Sequence, residues 1–149
     1  MTWATDRLDA LVAGAAEPPP VVQTLRLGLL DMWQPGLVRK TWRASPEILQ
    51  ADGSMFGGYI AALADQMAAF AAMTVVPDGH AYRTTALQVQ FFKLTRSPTL
   101  YIEGRVLSQS KSIIAVDVDF SQGDSLIARA TASQHVYALP GPPPPLSPS

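Results

Sequence analysis

The stretch from Met55 to Met73, MFGGYIAALADQMAAFAAM, constrains the fold of this chain more than any other. It is almost wholly apolar, opens on the glycine pair Gly57-Gly58 and holds one carboxylate, Asp65. Alanine, leucine and methionine favour a helix, and with Thr74, Val75 and Val76 the run reaches a length that can span a bilayer. Its apolar positions are mostly alanine, however, and a central Asp costs about 2.5–3.5 kcal/mol on insertion. A buried helix of a soluble domain is therefore expected, starting near Gly58 and ending before the turn formers Pro77-Asp78-Gly79.

Beyond that turn the periodicity changes from helical to alternating. The segments YRTTALQVQFFKL, TLYIEGRVLSQ, SIIAVDVDFSQ and SLIARATASQHVYAL are rich in β-branched and aromatic residues. In the third, Ile114, Val116, Val118 and Phe120 alternate with Asp117 and Asp119, and Gln122-Gly123-Asp124 reads as a hairpin turn into the last strand. Three strands in meander order are expected after the helix.

Ahead of the helix, Leu8, Leu11 and Val12 stand at helical spacing behind Thr5 or Asp6 as a cap, and Pro18-Pro19-Pro20 ends that short amphipathic helix. LRLGLLDM and LVRKTWRA flank Pro35-Gly36 and predict a hairpin, followed by an irregular segment from Ser45 to the glycine pair. The organisation expected is an N-terminal helix and proline linker (1–20), a main domain (21–139) and a proline-rich, extended or disordered tail (140–149).

A chain of 149 residues can bury a core without staples, and with no cysteine it has neither disulfides nor a thiolate nucleophile. The net charge of -1, with 15% charged residues, leaves no electrostatic footprint for nucleic acid. At 48% hydrophobic, such a chain tends to bury surface in a partner. MTWATDRLDALVAGA lacks the basic start and apolar run of a signal peptide, so a cytoplasmic location with no membrane association is expected.

On a helical wheel Ile60, Leu63, Met67 and Phe70 form the large stripe, while Ala61, Asp65, Ala68, Ala69 and Ala72 gather on another side. Two readings of Asp65 follow. It is a solvent-edge carboxylate, or one paired with Arg83 or Arg105; or the small-residue face lets a ligand or second subunit approach a carboxylate that acts as base or nucleophile. Gly57 and Gly58 add helix-start N–H groups that can hold an oxyanion, or they only let the loop turn tightly into the helix.

Taken together, the element order and the pieces Phe56-Gly57-Gly58, Ala62-Leu63-Ala64-Asp65, Gln88-Val89-Gln90-Phe91-Phe92-Lys93 and LIARATASQHVYAL resemble the hotdog-fold acyl-CoA thioesterases, in particular the small phenylacetate-pathway type. The resemblance covers about residues 21–138. It implies an α+β fold, an antiparallel sheet wrapped around one long central helix, assembled as a homodimer or homotetramer with active sites at the dimer interface. It implies an acyl-CoA substrate and no cofactor apart from the coenzyme A carried by that substrate. Gly57 and Gly58 match the helix-entry glycines whose N–H would hold the thioester carbonyl. Asp65 matches the catalytic carboxylate, Gln50 a residue that orients water or carbonyl, and Thr84, ahead of Thr85, a water-positioning hydroxyl. Phe56, Tyr59, Phe92, Lys93, Lys111 and Ser112 would contact the acyl group or coenzyme A. The family's usual histidine is replaced by Phe56, which removes one polar contact. This leaves a second reading, a non-catalytic hotdog module that binds acyl thioesters or serves in assembly. The same replacement removes the motif expected of a dehydratase or hydratase on this fold.

Elsewhere the chemistry is sparse. His80 and His135 have no ligand spacing around them and no metal site is expected. Ser54 lacks a nucleophile-elbow context. Asp117 and Asp119 read as a polar strand face, and Lys93 and Arg96 either as cations for coenzyme A phosphates or as ordinary surface cations.

Overall fold

The computed structural model describes residues 1–95, 97–143 and 145, so Arg96 and most of the proline-rich end lie outside the described residues. Helix α1, Trp3–Val12, begins earlier than its sequence pattern suggests, because Thr2 forms a reciprocal capping box with Thr5. Ala4, Leu8 and Leu11 face inward, whereas Val12 is exposed. The proline run does more than end α1. Pro20 takes the first position of a short helix, α2 (Pro20–Thr24), where its missing N–H costs nothing.

The hairpin around Pro35-Gly36 is present but shorter than predicted. Strand β1 is only Met32–Gln34, paired with β2, Leu37–Arg43. Leu25 to Leu30 are not strand, because Gly28 takes φ 70° and the carbonyls of Leu27 and Gly28 bond Lys40 Nζ and Gln66 Nε2 instead of a ladder. Helix α3, Gly57–Met73, follows a single 3-10 turn at Pro46–Ile48. Among the described residues no helix is long and apolar enough to cross a membrane.

Strands β3 (His80–Phe91), β4 (Thr99–Gln109), β5 (Ile113–Gln122) and β6 (Ser125–Ala138) complete one six-stranded sheet in the order β1-β2-β4-β5-β6-β3, with every pairing antiparallel. The last three strands are the expected meander, and β3 lies beside β6 at the sheet's far edge. The sheet curls onto α3, as the hotdog resemblance implies.

The face of the sheet toward α3 is set by strand parity: Val38 and Trp42, Leu100 and Ile102, Val116, Val118 and Phe120, and Ala128, Ala130 and Ala132 are all buried. Gly104 allows the closest approach. A Cβ there would lie 2.9 Å from Val38 Cγ2 and 3.2 Å from the carbonyl oxygen of Met67 in α3. Gly104→Ala should therefore destabilise the fold by about 1–3 kcal/mol through overpacking. An unchanged denaturation midpoint would show that α3 is not seated on this glycine.

The opposite face carries a cross-strand ladder of charge. Arg39 Nε donates to Glu103 at 2.6 Å, Arg105 bonds Glu103 and, at 2.9 Å, Asp119, and Arg129 Nε reaches Asp119 at 2.6 Å. The Arg129 and Arg105 hydrogen bonds hold Asp119 below the usual carboxylate range against partial burial.

Candidate active site

Asp65 lies exposed on α3, two turns from the helix start, and Thr84 Oγ1 of β3 donates to its Oδ1 at 2.8 Å. Neither arginine considered as its partner plays that part. Arg105 belongs to the ladder on the other side of the sheet, and the Arg83 guanidinium sits over the Tyr137 ring. The alanines around Asp65 divide: Ala68 and Ala72 are fully buried, Ala61 and Ala69 only partly.

A β-bulge decides which threonine faces the carboxylate. Thr84 pairs with Gln134 and Ala86 with Ser133, so Thr85 is the extra residue. Before the bulge Tyr82 and Thr84 turn toward the helix, and after it Leu87 and Val89 do, a switch of parity that simple alternation does not contain. Thr85 instead donates to the carbonyl of Ser133 at 3.3 Å.

Two residues of this cluster carry no motif. Gln134 is fully buried and bonds Thr84. The Tyr82 phenol is pushed up to about 12, chiefly by burial, with Arg7 opposing and the Tyr137 and Asp65 charges adding, so it stays protonated at neutral pH. The parity of ARATASQHV, which places Gln134 in register with Ala128, Ala130 and Ala132, is the signal that could have found it. A further buried polar side chain, Lys40, joins the Leu27 carbonyl to Gln66, the residue after Asp65. Desolvation lowers its pKa to about 7, with Asp31 opposing.

At the start of α3 Phe56 is the N-cap, and among the described residues no side chain caps the helix. The Gly57 and Gly58 N–H groups thus belong to a first turn without intrahelical acceptors, at the positive end of the helix dipole. Both glycines also make room for aromatic rings. A Cβ on Gly57 would lie 3.2 Å from the Phe91 ring, and one on Gly58 would lie 2.7 Å from Phe56 Cε1. Phe56 itself is 57% exposed.

A cleft of about 360 Å³ opens here, lined in part by Gln50, Gly57, Phe91, Phe92 and Lys93. Gln50 Nε2 donates to Ser54 Oγ at 3.1 Å and the Met55 carbonyl at 3.2 Å, which orients its amide. Lys93 Nζ reaches Ser125 Oγ at 3.2 Å. Gln50, Gly57, Phe92 and Lys93 are thus brought together with Phe91, a residue the sequence did not single out.

Other predicted contacts lie elsewhere in the chain. Tyr59 turns to Trp42, ring centroids 5.5 Å apart, and its buried hydroxyl has no hydrogen-bond partner among the described residues. Lys111 and Ser112 occupy the β4–β5 turn beside the C-terminal end of α3, where Gln109 Nε2 donates to the Val75 carbonyl at 2.9 Å. A helix of 17 residues puts that turn about 25 Å from the cleft. Asp65 and Gly58 are likewise separated by about 10 Å along the helix, too far to act on one carbonyl within a single chain. Among the described residues no three His, Asp or Glu side chains gather as a metal site would require.

The model of the thioesterase superfamily matches residues 52–128, just over half of the chain and including α3, β3 and the start of β6. No curated protein matches it significantly. Among solved structures it resembles one described as a phenylacetic acid degradation-related protein from Ralstonia eutropha JMP134, at 24% identity and TM-score 0.77 over 86% of this chain and 98% of that one. It is also similar to a hypothetical thioesterase protein from Streptococcus pneumoniae TIGR4 solved with coenzyme A, at 22% identity and TM-score 0.67 over 73% and 84% of the two chains. A third similar structure, from Streptococcus mutans UA159, is bound to acetyl-CoA and shares 25% identity at TM-score 0.66 over 73% and 87%. The chain, with its six-stranded hotdog sheet around α3, belongs to the thioesterase superfamily.

Proposed function

We propose that the protein hydrolyses an acyl- or aryl-CoA thioester, at a site built from Asp65 of one subunit and the Gly57-Gly58 helix start of another. The observation that carries this reading is the placing of an exposed, Thr84-bonded carboxylate two turns from an uncapped helix start that opens on an aromatic cleft. The long β3 edge, at the end of the sheet, supports pairing with a second copy that would bring the two halves together. Coenzyme A as the carrier is supported by the acetyl-CoA-bound relative.

In this mechanism the first-turn N–H groups donate hydrogen bonds to the thioester oxygen and stabilise the negative charge that develops there. Asp65 either takes a proton from the attacking water or itself attacks the carbonyl carbon, forming an anhydride that water then opens. In both routes the C–S bond breaks, the thiolate leaves and is protonated, and one water is consumed per acid released.

A second reading, a module that binds thioesters without hydrolysing them, draws on Phe56, whose ring lies against Gly58 where the family's histidine would stand. The two readings separate when pure protein is given a panel of aromatic and aliphatic acyl-CoA esters and free thiol is measured. Turnover of at least one ester is expected. Tight binding across the panel without thiol release would favour the module.

A further inference from the structure

We infer that Gln134 is a positioning residue of this site, acting on Asp65 through the hydroxyl of Thr84. The inference rests on the thioesterase reading above.

Gln134 is fully buried and occupies the helix-facing register of β6, where the preceding inward residues are Ala128, Ala130 and Ala132 and the following one is Val136. An uncharged polar side chain in such a row is costly unless its groups are bonded. Both of its terminal atoms turn to one oxygen: Nε2 lies 2.9 Å and Oε1 3.1 Å from Thr84 Oγ1. Among the described residues Thr84 is the only side chain it bonds.

The Thr84 hydroxyl has one hydrogen and two candidate acceptors, Asp65 Oδ1 at 2.8 Å and Gln134 Oε1 at 3.1 Å. The shorter contact, to an ionised carboxylate, is the stronger. The hydrogen therefore points to Asp65, and the lone pair it leaves on Thr84 Oγ1 accepts from Gln134 Nε2–H. The result is a directed chain, Gln134 to Thr84 to Asp65, each donor fixing the next. The bulge at Thr85 is what places Thr84 opposite both partners. Because Asp65 is exposed while Gln134 is buried, the chain ties a solvent-facing carboxylate to the rigid interior of the sheet.

Gln134→Met keeps the length and burial of the side chain but removes its donors. It should lower kcat about tenfold, the rate equivalent of one orienting hydrogen bond, with KM nearly unchanged. Thr84→Val should cost at least as much and Thr84→Ser, which keeps the hydroxyl, should recover most of the loss. The double variant Gln134→Met/Thr84→Val should be no slower than Thr84→Val alone, because Gln134 acts only through that hydroxyl.

A side chain that only satisfied its own burial would lower Tm and leave kcat within twofold below the melting range, or its effect would multiply with that of Thr84→Val. Either result overturns the inference. If Gln134→Met does not fold, NMR of the Gln134 side-chain amide decides: its signal should shift in Thr84→Val and remain in Thr84→Ser, and an unmoved signal in Thr84→Val is fatal. Asp65→Asn, run alongside, separates the two levels. Full activity in that variant removes the underlying mechanism, whereas its inactivity beside an unaffected Gln134→Met removes only this role.

Discussion

Asp65→Asn should reduce the rate of thiol release at saturating acyl-CoA by about a thousandfold, within the range that a positioned acid–base group contributes. The substitution is isosteric, and the amide oxygen can still accept from Thr84 Oγ1, which now lies 2.8 Å from the carboxylate. Asp65 is exposed and makes no ion pair with the arginines nearest in the sequence pattern, so its removal should leave Tm and coenzyme A affinity nearly unchanged. What is lost is the charge: an amide neither takes a proton from water nor attacks a thioester. Wild-type turnover by this variant would take Asp65 out of the chemistry, and loss of turnover together with loss of fold would mark it as structural.

The second large effect concerns stability. Phe120 is fully buried on the face of β5 toward α3, paired across the ladders with Ile102 and Ala128. Phe120→Ala should cost about 3–5 kcal/mol, the transfer energy of the ring plus the cavity it leaves. Against a total stability of about 5–15 kcal/mol that is a large share, and the melting temperature should fall by roughly 10 °C. Tyr101, on β4 one residue before Ile102, points the other way and is 52% exposed. Tyr101→Ala is the matched control and should cost under about 1 kcal/mol. Equal losses at the two positions would contradict the assignment of the faces.

The pattern of the strands made that assignment readable in advance. Ile114, Val116, Val118 and Phe120 alternate with Ala115, Asp117 and Asp119 and all four are buried, because a regular strand sends successive side chains to opposite faces. The same rule misleads at Leu25 to Leu30, where apolar residues imitate a strand. There Gly28 at φ 70° turns the chain, and Lys40 and Gln66 take up the carbonyls of Leu27 and Gly28. Lys40 and Gln66 are distant in sequence, and no local propensity announces their hydrogen bonds.

The candidate site divides along the same line. The glycine pair, Asp65 and their helical spacing are local features, so the residues alone suggested them, and the amide groups of an uncapped first turn follow from helix geometry. The resemblance ranked Thr84 ahead of Thr85, but the physical reason that Thr84 is the one turned to Asp65 is the bulge, which depends on how β3 pairs with β6. Gln134 and Tyr82 enter only because β6 and β3 lie side by side beneath α3, and Phe91 because its ring packs on Gly57. The Tyr59 ring packs toward Trp42, since a helix sends neighbouring residues about 100° apart. By itself the sequence determined the long apolar helix, the strand parity and the position of the carboxylate, all consequences of short-range periodicity. Only the tertiary structure decided which hydroxyl faces that carboxylate and which buried amide holds the hydroxyl, because those contacts join residues 19 and 50 positions apart through strand pairing.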